Sequence, residues 1–136
     1  MSDFRGVSTP WQVSRAEFEQ TASEVEGDGA VCVFVVDEQI PLQARSGYAT
    51  LVIAYARSDE PVHILDDGTA ALLIRQGGTD SATVAGRRVI DQMRKLGLDT
   101  TLRAGVAALR GDAANAIEQA RGVAASNAAG AVHVAA

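Results

Sequence analysis

The stretch His63-Ile64-Leu65-Asp66-Asp67-Gly68-Thr69-Ala70-Ala71-Leu72-Leu73-Ile74 decides the fold. Two apolar runs, residues 61–65 and 69–74, meet around Asp67-Gly68. Asp-Gly supplies the positive φ angles that a tight turn between antiparallel strands needs, so the stretch predicts a β-hairpin. Upstream, residues 30–36 (Ala-Val-Cys-Val-Phe-Val-Val) form an uninterrupted, largely β-branched run closed by Asp37. Such a run fits a strand covered on both faces.

Helices fill the intervals. Ser14 opens one, with Glu17 three residues on completing a capping box, and Phe18, Ala22 and Val25 give an apolar stripe to about Glu26. Gly27-Asp28-Gly29 ends it. After the hairpin, Gln76-Gly77-Gly78-Thr79 reads as a loop, and Thr79 or Asp80 caps a helix to Gly97. Val84, Val89 or Ile90, and Met93 are its expected buried side. A strand over 100–108, an Ala-rich helix over 112–129 stopped by Gly130, and a short strand at Val132-His133-Val134 follow. Residues 38–47 are unreadable; 49–57 fit a strand by their Val, Ile and Tyr, or a helix by their length and Ala content. The order predicts an α+β sandwich of the nucleotidyl-cyclase or palm type, with a mixed central sheet, a β-hairpin and flanking helices. Residues 1–13 read as an irregular leader and 14–136 as one domain, without internal repeats.

Composition narrows the function classes. At 136 residues the chain can bury a core without disulfides or metals. Its 47% hydrophobic and 21% charged residues exclude a disordered chain. The net charge of −5 argues against nucleic-acid binding, and the basic cluster Arg87, Arg88, Arg94 and Lys95 reads as a solvated helix face. The single cysteine, Cys32, sits in an apolar run and reads as a buried thiol. No segment has the roughly 20 apolar residues of a membrane span, and no signal-peptide core follows the N-terminus, so a cytoplasmic location is expected. His63 and His133 lack a second ligand at zinc spacing, and 76–79 lack the lysine of a phosphate-binding loop.

The order of elements, with a hairpin after a first strand ending in Asp, resembles the GGDEF or diguanylate cyclase family across nearly the whole chain. Ser14-Arg15-Ala16-Glu17-Phe18 is similar to the family's Asn-Arg-x-x-Phe helix entry. Residues 33–37 resemble the first core strand with its metal-binding Asp, and 63–74 the signature hairpin. Gly78-Thr79-Asp80 resembles the loop before the next helix, and Leu102-Arg103-Ala104-Gly105-Val106-Ala107 the Ser-Ile-Gly-Val-Ala strand. The closing helix, 125–130, has Asn127 where a phosphate-contacting Lys is usual. Other palm-type nucleotide domains share this topology.

The resemblance implies bacterial cyclic di-GMP signalling and a definite chemistry. Joining phosphodiesters on a nucleoside triphosphate needs carboxylates on adjacent strands to hold Mg²⁺, and a turn without side chains against which substrate can lie. Here the degenerate signature turn puts Asp66 and Asp67 in the two glycine places, Gly68 and Thr69 in the acidic places and Ala70 in the Phe place. Asp37, Asp66 and Asp67 are candidates for a vestigial or relocated metal site; alternatively the two turn acids simply favour the turn. The family's base-holding helix, with its Asn and Asp, belongs between Asp37 and the hairpin, where the chain is about a dozen residues short against the pattern of that helix.

Three readings follow. The first is a catalytically inactive domain, needing no cofactor, that works as a regulatory protein-interaction or scaffold module, self-associating as a homodimer or binding another protein. Phe4, Trp11 and Tyr48 are its candidate interface anchors. The second is a cyclic di-GMP receptor. Many family members carry an inhibitory Arg-x-x-Asp shortly before the signature, and Arg57-Ser58-Asp59-Glu60 stands at that offset. Arg57 would fork onto a phosphate or guanine edge, Glu60 would accept from guanine, and Arg88 or its neighbour Arg87 falls near a second family arginine. The third is a residual metal-dependent nucleotide-binding enzyme centred on Asp37, Asp66 and Asp67.

Overall fold

A computed structural model describes residues 12–136. Helix α1 (Arg15–Ser23) precedes strand β1 (Ala30–Val36), helix α2 (Leu42–Tyr55), strands β2 (Val62–Ile64) and β3 (Ala70–Ile74), helix α3 (Gly78–Lys95), strand β4 (Leu102–Ala108), helix α4 (Ala113–Ala125) and strand β5 (Val132–Val134). The five strands form one sheet in the order β2-β3-β1-β4-β5. Neighbours are antiparallel except β4 and β5, which run parallel because α4 carries the chain back along the sheet. The expected mixed α+β sandwich is the observed fold.

Alternation along β1 builds the layers. Ala30, Cys32, Phe34 and Val36 face α2 and α3, where they meet Tyr48, Val52, Ala82, Val89, Ile90 and Met93. Val31 and Val33 face α1 and α4, meeting Phe18, Ala22, Ala116, Ile117 and Ala120. Helices on both faces therefore explain a strand with no polar residue, although its partners are antiparallel. Cys32 is fully buried in this core, and burial pushes its thiol pKa up, which keeps it protonated. Gly105 of β4 admits α4 closely: a Cβ there would lie 2.0 Å from the Ala120 carbonyl oxygen.

Several local expectations change. Residues 49–57, open between strand and helix, belong mostly to α2, which begins at Leu42 inside the unreadable segment and ends at Tyr55. Val84, expected on the buried side of α3, is 61% exposed. The stripe that packs on the sheet is Ala82, Ala85, Gly86, Val89, Ile90 and Met93, and Val84 lies outside its 3.6-residue period. α1 ends at Ser23 and α4 at Ala125, earlier than their glycines suggest; Gly130, at φ +80°, instead turns the chain into β5. Residues 99–101 form a 3-10 turn before β4 begins. Ser14 does cap α1, accepting from the Glu17 N–H at 3.1 Å.

The end of the expected leader lies along the sheet edge. Gln12 makes a parallel bridge to Val62, and the Val13 N–H donates to the Val62 carbonyl at 2.8 Å. No helix among the described residues is long and apolar enough to cross a membrane.

Candidate functional site

Strand direction gives the sheet two functional ends. At one end lie the hairpin turn, the exit of β1 and the entry of β4. At the other lie the exit of β3, the start of β1 and the start of α3.

The hairpin forms as expected, with Val62 opposite Leu72, His63 opposite Ala71 and Ile64 opposite Ala70. The Leu65 N–H donates to Thr69 at 2.8 Å and the Gly68 N–H donates back to Leu65 at 2.9 Å. Within the turn only Gly68 has a positive φ, +88°, and no described residue other than glycine has one anywhere. The loop is thus three residues, a turn through Asp66 and Asp67 completed by a left-handed glycine, and not a two-residue turn with two positive φ angles. Asp67 holds it, its Oδ1 accepting from the Thr69 N–H at 3.0 Å.

Two arginines bracket this turn. Arg45, on α2, donates from Nε to the Ile40 carbonyl (2.9 Å), from one terminal nitrogen to the Asp67 carbonyl (3.1 Å) and from the other to the Glu38 carbonyl (3.1 Å). Its stem lies against Gly68, where an added Cβ would come within 2.9 Å of the Arg45 Cβ. From the other face, Arg121 of α4 pairs with Asp67 Oδ2 at 2.7 Å. Burial alone would raise the Asp67 pKa, but hydrogen bonds from the Thr69 amide and hydroxyl, with the Arg121 charge, bring it below the ordinary carboxylate value. Asp66 is exposed at the tip.

Asp37 is held separately. Its Oδ1 accepts from the Gln39 N–H at 3.1 Å, and its Oδ2 lies 3.8 Å from Arg103. Among the described residues no three His, Cys, Asp or Glu side chains are grouped to hold a metal, so Asp37, Asp66 and Asp67 do not gather as one. Divalent cations of this chemistry want several hard oxygen ligands, and the turn offers guanidinium groups instead. The residues present do not fit a Mg²⁺ ion.

The opposite end is open. A cavity of about 820 Å³ lies between α3, the exit of β3 and the link from α2 to β2, and its walls include Arg57, Asp59, Glu60, Arg75 and Arg88. The expected Arg-x-x-Glu pair is split there. Arg57 is exposed, whereas Glu60 is 7% exposed. Glu60 Oε1 accepts from the Arg57 backbone N–H at 2.7 Å and from the Arg88 guanidinium, and the Arg88 Nε donates to the Tyr55 carbonyl at 3.1 Å. Arg88, not Arg87, belongs to this site; Arg87 is exposed and lines no part of the cavity. Of the expected anchors, Tyr48 is a core residue, 9% exposed, with its hydroxyl bonded to Thr101 Oγ1 at 2.7 Å. It faces the sheet from α2 and presents nothing to a partner. Phe4 and Trp11 lie outside the described residues.

The architecture matches solved structures over nearly all of its length. The GGDEF domain of TpbB (YfiN) from Pseudomonas aeruginosa superposes with a TM-score of 0.69 at 18% identity, covering 100% of this chain and 95% of that one. The coiled coil and GGDEF domain of DgcB from Caulobacter crescentus, solved in complex with c-di-GMP, gives 0.69 at 13% identity over 96% and 87%. The active GGEEF domain of a diguanylate cyclase from Vibrio cholerae gives 0.64 at 11% identity over 89% and 93%. This is the GGDEF fold. No protein-family model and no curated protein matches the sequence. Identities this low establish shared architecture and leave activity to the residues.

Within the GGDEF fold, the helix after β1 is present, so the shortness expected there did not remove it. What α2 lacks is acid and Asn: its sequence LQARSGYATLVIAY contains no Asn, Asp or Glu, and its one amide is Gln43, exposed in the first turn. Three residues at the two ends escaped sequence reading, namely Arg45, Arg121 and Arg75. Arg45 reaches a carbonyl 22 residues away and Arg121 a carboxylate 54 residues away, so no local spacing marks either one. Arg75 follows directly on the last residue of β3, and its position at the cavity depends on where α3 starts.

Proposed function

We propose that this GGDEF-fold domain is catalytically silent and acts as a regulatory binding module. One observation carries the reading: Arg45 bridges the exit loop of β1 and the carbonyl of Asp67 at the hairpin turn. A fixed cation with its donors satisfied by backbone leaves that gap without oxygen ligands for metal. The residue types agree, since Gly68 and Thr69 stand in the acidic places of the degenerate signature, and α2 has neither the Asn nor the Asp with which the family holds a base. Incubating the chain with GTP and Mg²⁺ and separating the nucleotides by chromatography tests this. The expected result is GTP unchanged; turnover into cyclic di-GMP that Asp37→Ala abolishes would sink the reading.

For the interaction role, the large apolar side chains exposed among the described residues are Leu42, Val84, Leu96 and Val134, spread over α2, α3 and its end, and β5, and each is a candidate contact for a partner or a second copy. Light scattering on a size-exclusion column tests self-association, and a strict monomer at high concentration removes the homodimer.

A second reading is favoured by the cavity at the α3 end, a site of ligand size where the Arg57 guanidinium has no partner among the described residues. It makes the domain a receptor for cyclic di-GMP. Calorimetry with cyclic di-GMP in the absence of Mg²⁺ should give saturable heat that Arg57→Ala removes; no heat ends this reading and leaves the silent module standing.

A further inference from the structure

The chain contains two Asp-Gly pairs, Asp28-Gly29 and Asp67-Gly68, and the fold holds them in opposite ways. Asp-Gly is a sequence at which a backbone can rearrange unaided. The glycine amide nitrogen, unshielded by a Cβ on its own residue, attacks the side-chain carboxyl carbon of the aspartate. A C–N bond forms, the amide proton leaves with the carboxyl hydroxyl as water, and a five-membered succinimide results. Water then opens the ring at either carbonyl, restoring aspartate or giving isoaspartate, so the net change is an isomerisation. Attack needs a carboxyl free to turn and an amide free of other bonds.

Asp67-Gly68 has neither. One carboxylate oxygen accepts from the Thr69 N–H at 3.0 Å, and the other is paired with Arg121 at 2.7 Å. The Gly68 N–H donates to the Leu65 carbonyl at 2.9 Å. The bonds that lower the Asp67 pKa also keep its carboxyl ionised, the form that does not release an oxygen. Asp28-Gly29 has both. Asp28 is exposed, and its side chain makes no hydrogen bond or ion pair among the described residues. The Gly29 carbonyl accepts from the Leu109 N–H at 2.9 Å, but the Gly29 N–H donates to nothing among the described residues.

The surroundings also suit the product. The Gly78 N–H, in the first turn of α3, donates to the Asp28 carbonyl at 2.9 Å, and that helix has no side-chain cap. In isoaspartate the chain runs through the former side chain, and the former main-chain carbonyl becomes a free carboxylate. An anion then replaces a neutral acceptor beside a helix N-terminus that favours negative charge.

We propose that Asp28-Gly29 is the site of isoaspartate formation in this protein, and that Asp67-Gly68 is protected by the bonds of its turn. Ageing the full chain in warm, neutral water enriched in heavy oxygen tests it, because each opening of the succinimide fixes one solvent oxygen. Trypsin, cutting after Arg15, Arg45, Arg57 and Arg75, leaves one pair in peptide 16–45 and the other in peptide 58–75. Methylation by an isoaspartyl methyltransferase measures the isoaspartate in each. A charge-assisted bond that must break before attack is worth about tenfold in rate, so peptide 16–45 should gain label and isoaspartate about tenfold faster than 58–75. Asp28→Glu, an exposed change that makes the side chain one methylene too long for the five-membered ring, should remove the 16–45 signal. Arg121→Ala should raise the 58–75 signal, and in urea the two peptides should age alike. Equal labelling of both peptides in the folded chain, no label in 16–45, or a 16–45 signal that survives Asp28→Glu would each overturn the proposal.

Discussion

The two ends of the sheet contrast in how their charges are used. At the hairpin end, Arg45 has each of its three guanidinium nitrogens on a backbone carbonyl, Arg121 is on Asp67, and Arg103 stands by Asp37. At the α3 end, one buried pair supports a cavity whose remaining arginines have no side-chain partner among the described residues. Satisfied charges hold structure, whereas unsatisfied ones at a concave surface are available to a ligand. In this molecule the end that the family resemblance marks for chemistry is the one whose arginines are already engaged.

Three stability measurements can break or sharpen that contrast. The largest effect is expected from Glu60→Ala, which strands Arg88 beneath the surface. Removing one member of a buried pair costs about 3 kcal/mol, to be read as a lowered midpoint in urea at unchanged slope. A cost near zero would mean that the open end is not built on this pair.

Arg45→Ala comes next. Its hydrogen bonds to three carbonyls are partly solvent-exposed, and their joint loss should cost about 2 kcal/mol. Amide exchange at Gly68, whose N–H closes the turn, should accelerate in step. Unchanged exchange there would show that the turn stands without its clasp.

The smallest effect belongs to Asp67→Asn. The pair with Arg121 is exposed enough for solvent to screen it, so about 0.5 kcal/mol is expected at neutral pH. The sign with pH is definite. A carboxyl whose folded pKa is depressed contributes stability above its unfolded value, near 4, and loses it as pH falls through the folded pKa. The gap between native chain and variant should accordingly narrow in acid. A gap that widened in acid would contradict the bonds assigned to this carboxylate.

Sequence patterns revealed the elements whose signal is local. β1 was legible because seven consecutive apolar residues can only be a strand or a buried helix turn, and Asp37 closes them. The hairpin was legible from Asp67-Gly68, and α1 from Ser14. α2 was not. It has Pro41 at its cap with no side-chain bond, and Leu51, Val52 and Ile53 run together so that no polar stripe marks its period. Those flanking residues pack partly against the core as well, which blurs the pattern.

The candidate site was half legible. Arg57, Glu60, Arg88 and Asp67 were found, but not the pairing among them, because Tyr55 and Glu60 reach Arg88, and Arg121 reaches Asp67, only through tertiary packing. The motif Arg57-Ser58-Asp59-Glu60 names residue types and offsets; it carries nothing about which acid turns inward. That is set by Arg88, on a helix that begins 18 residues after Glu60.

The bare α-carbon at position 105 has a practical use. Because β4 and α4 meet there at the limit of approach, Gly105→Val forces helix and sheet apart while changing no residue at either end. A chain so altered serves as an unfolding control: any binding or partner capture that persists in it does not come from the native architecture, and any that vanishes gives a baseline against which substitutions at the two ends can be judged.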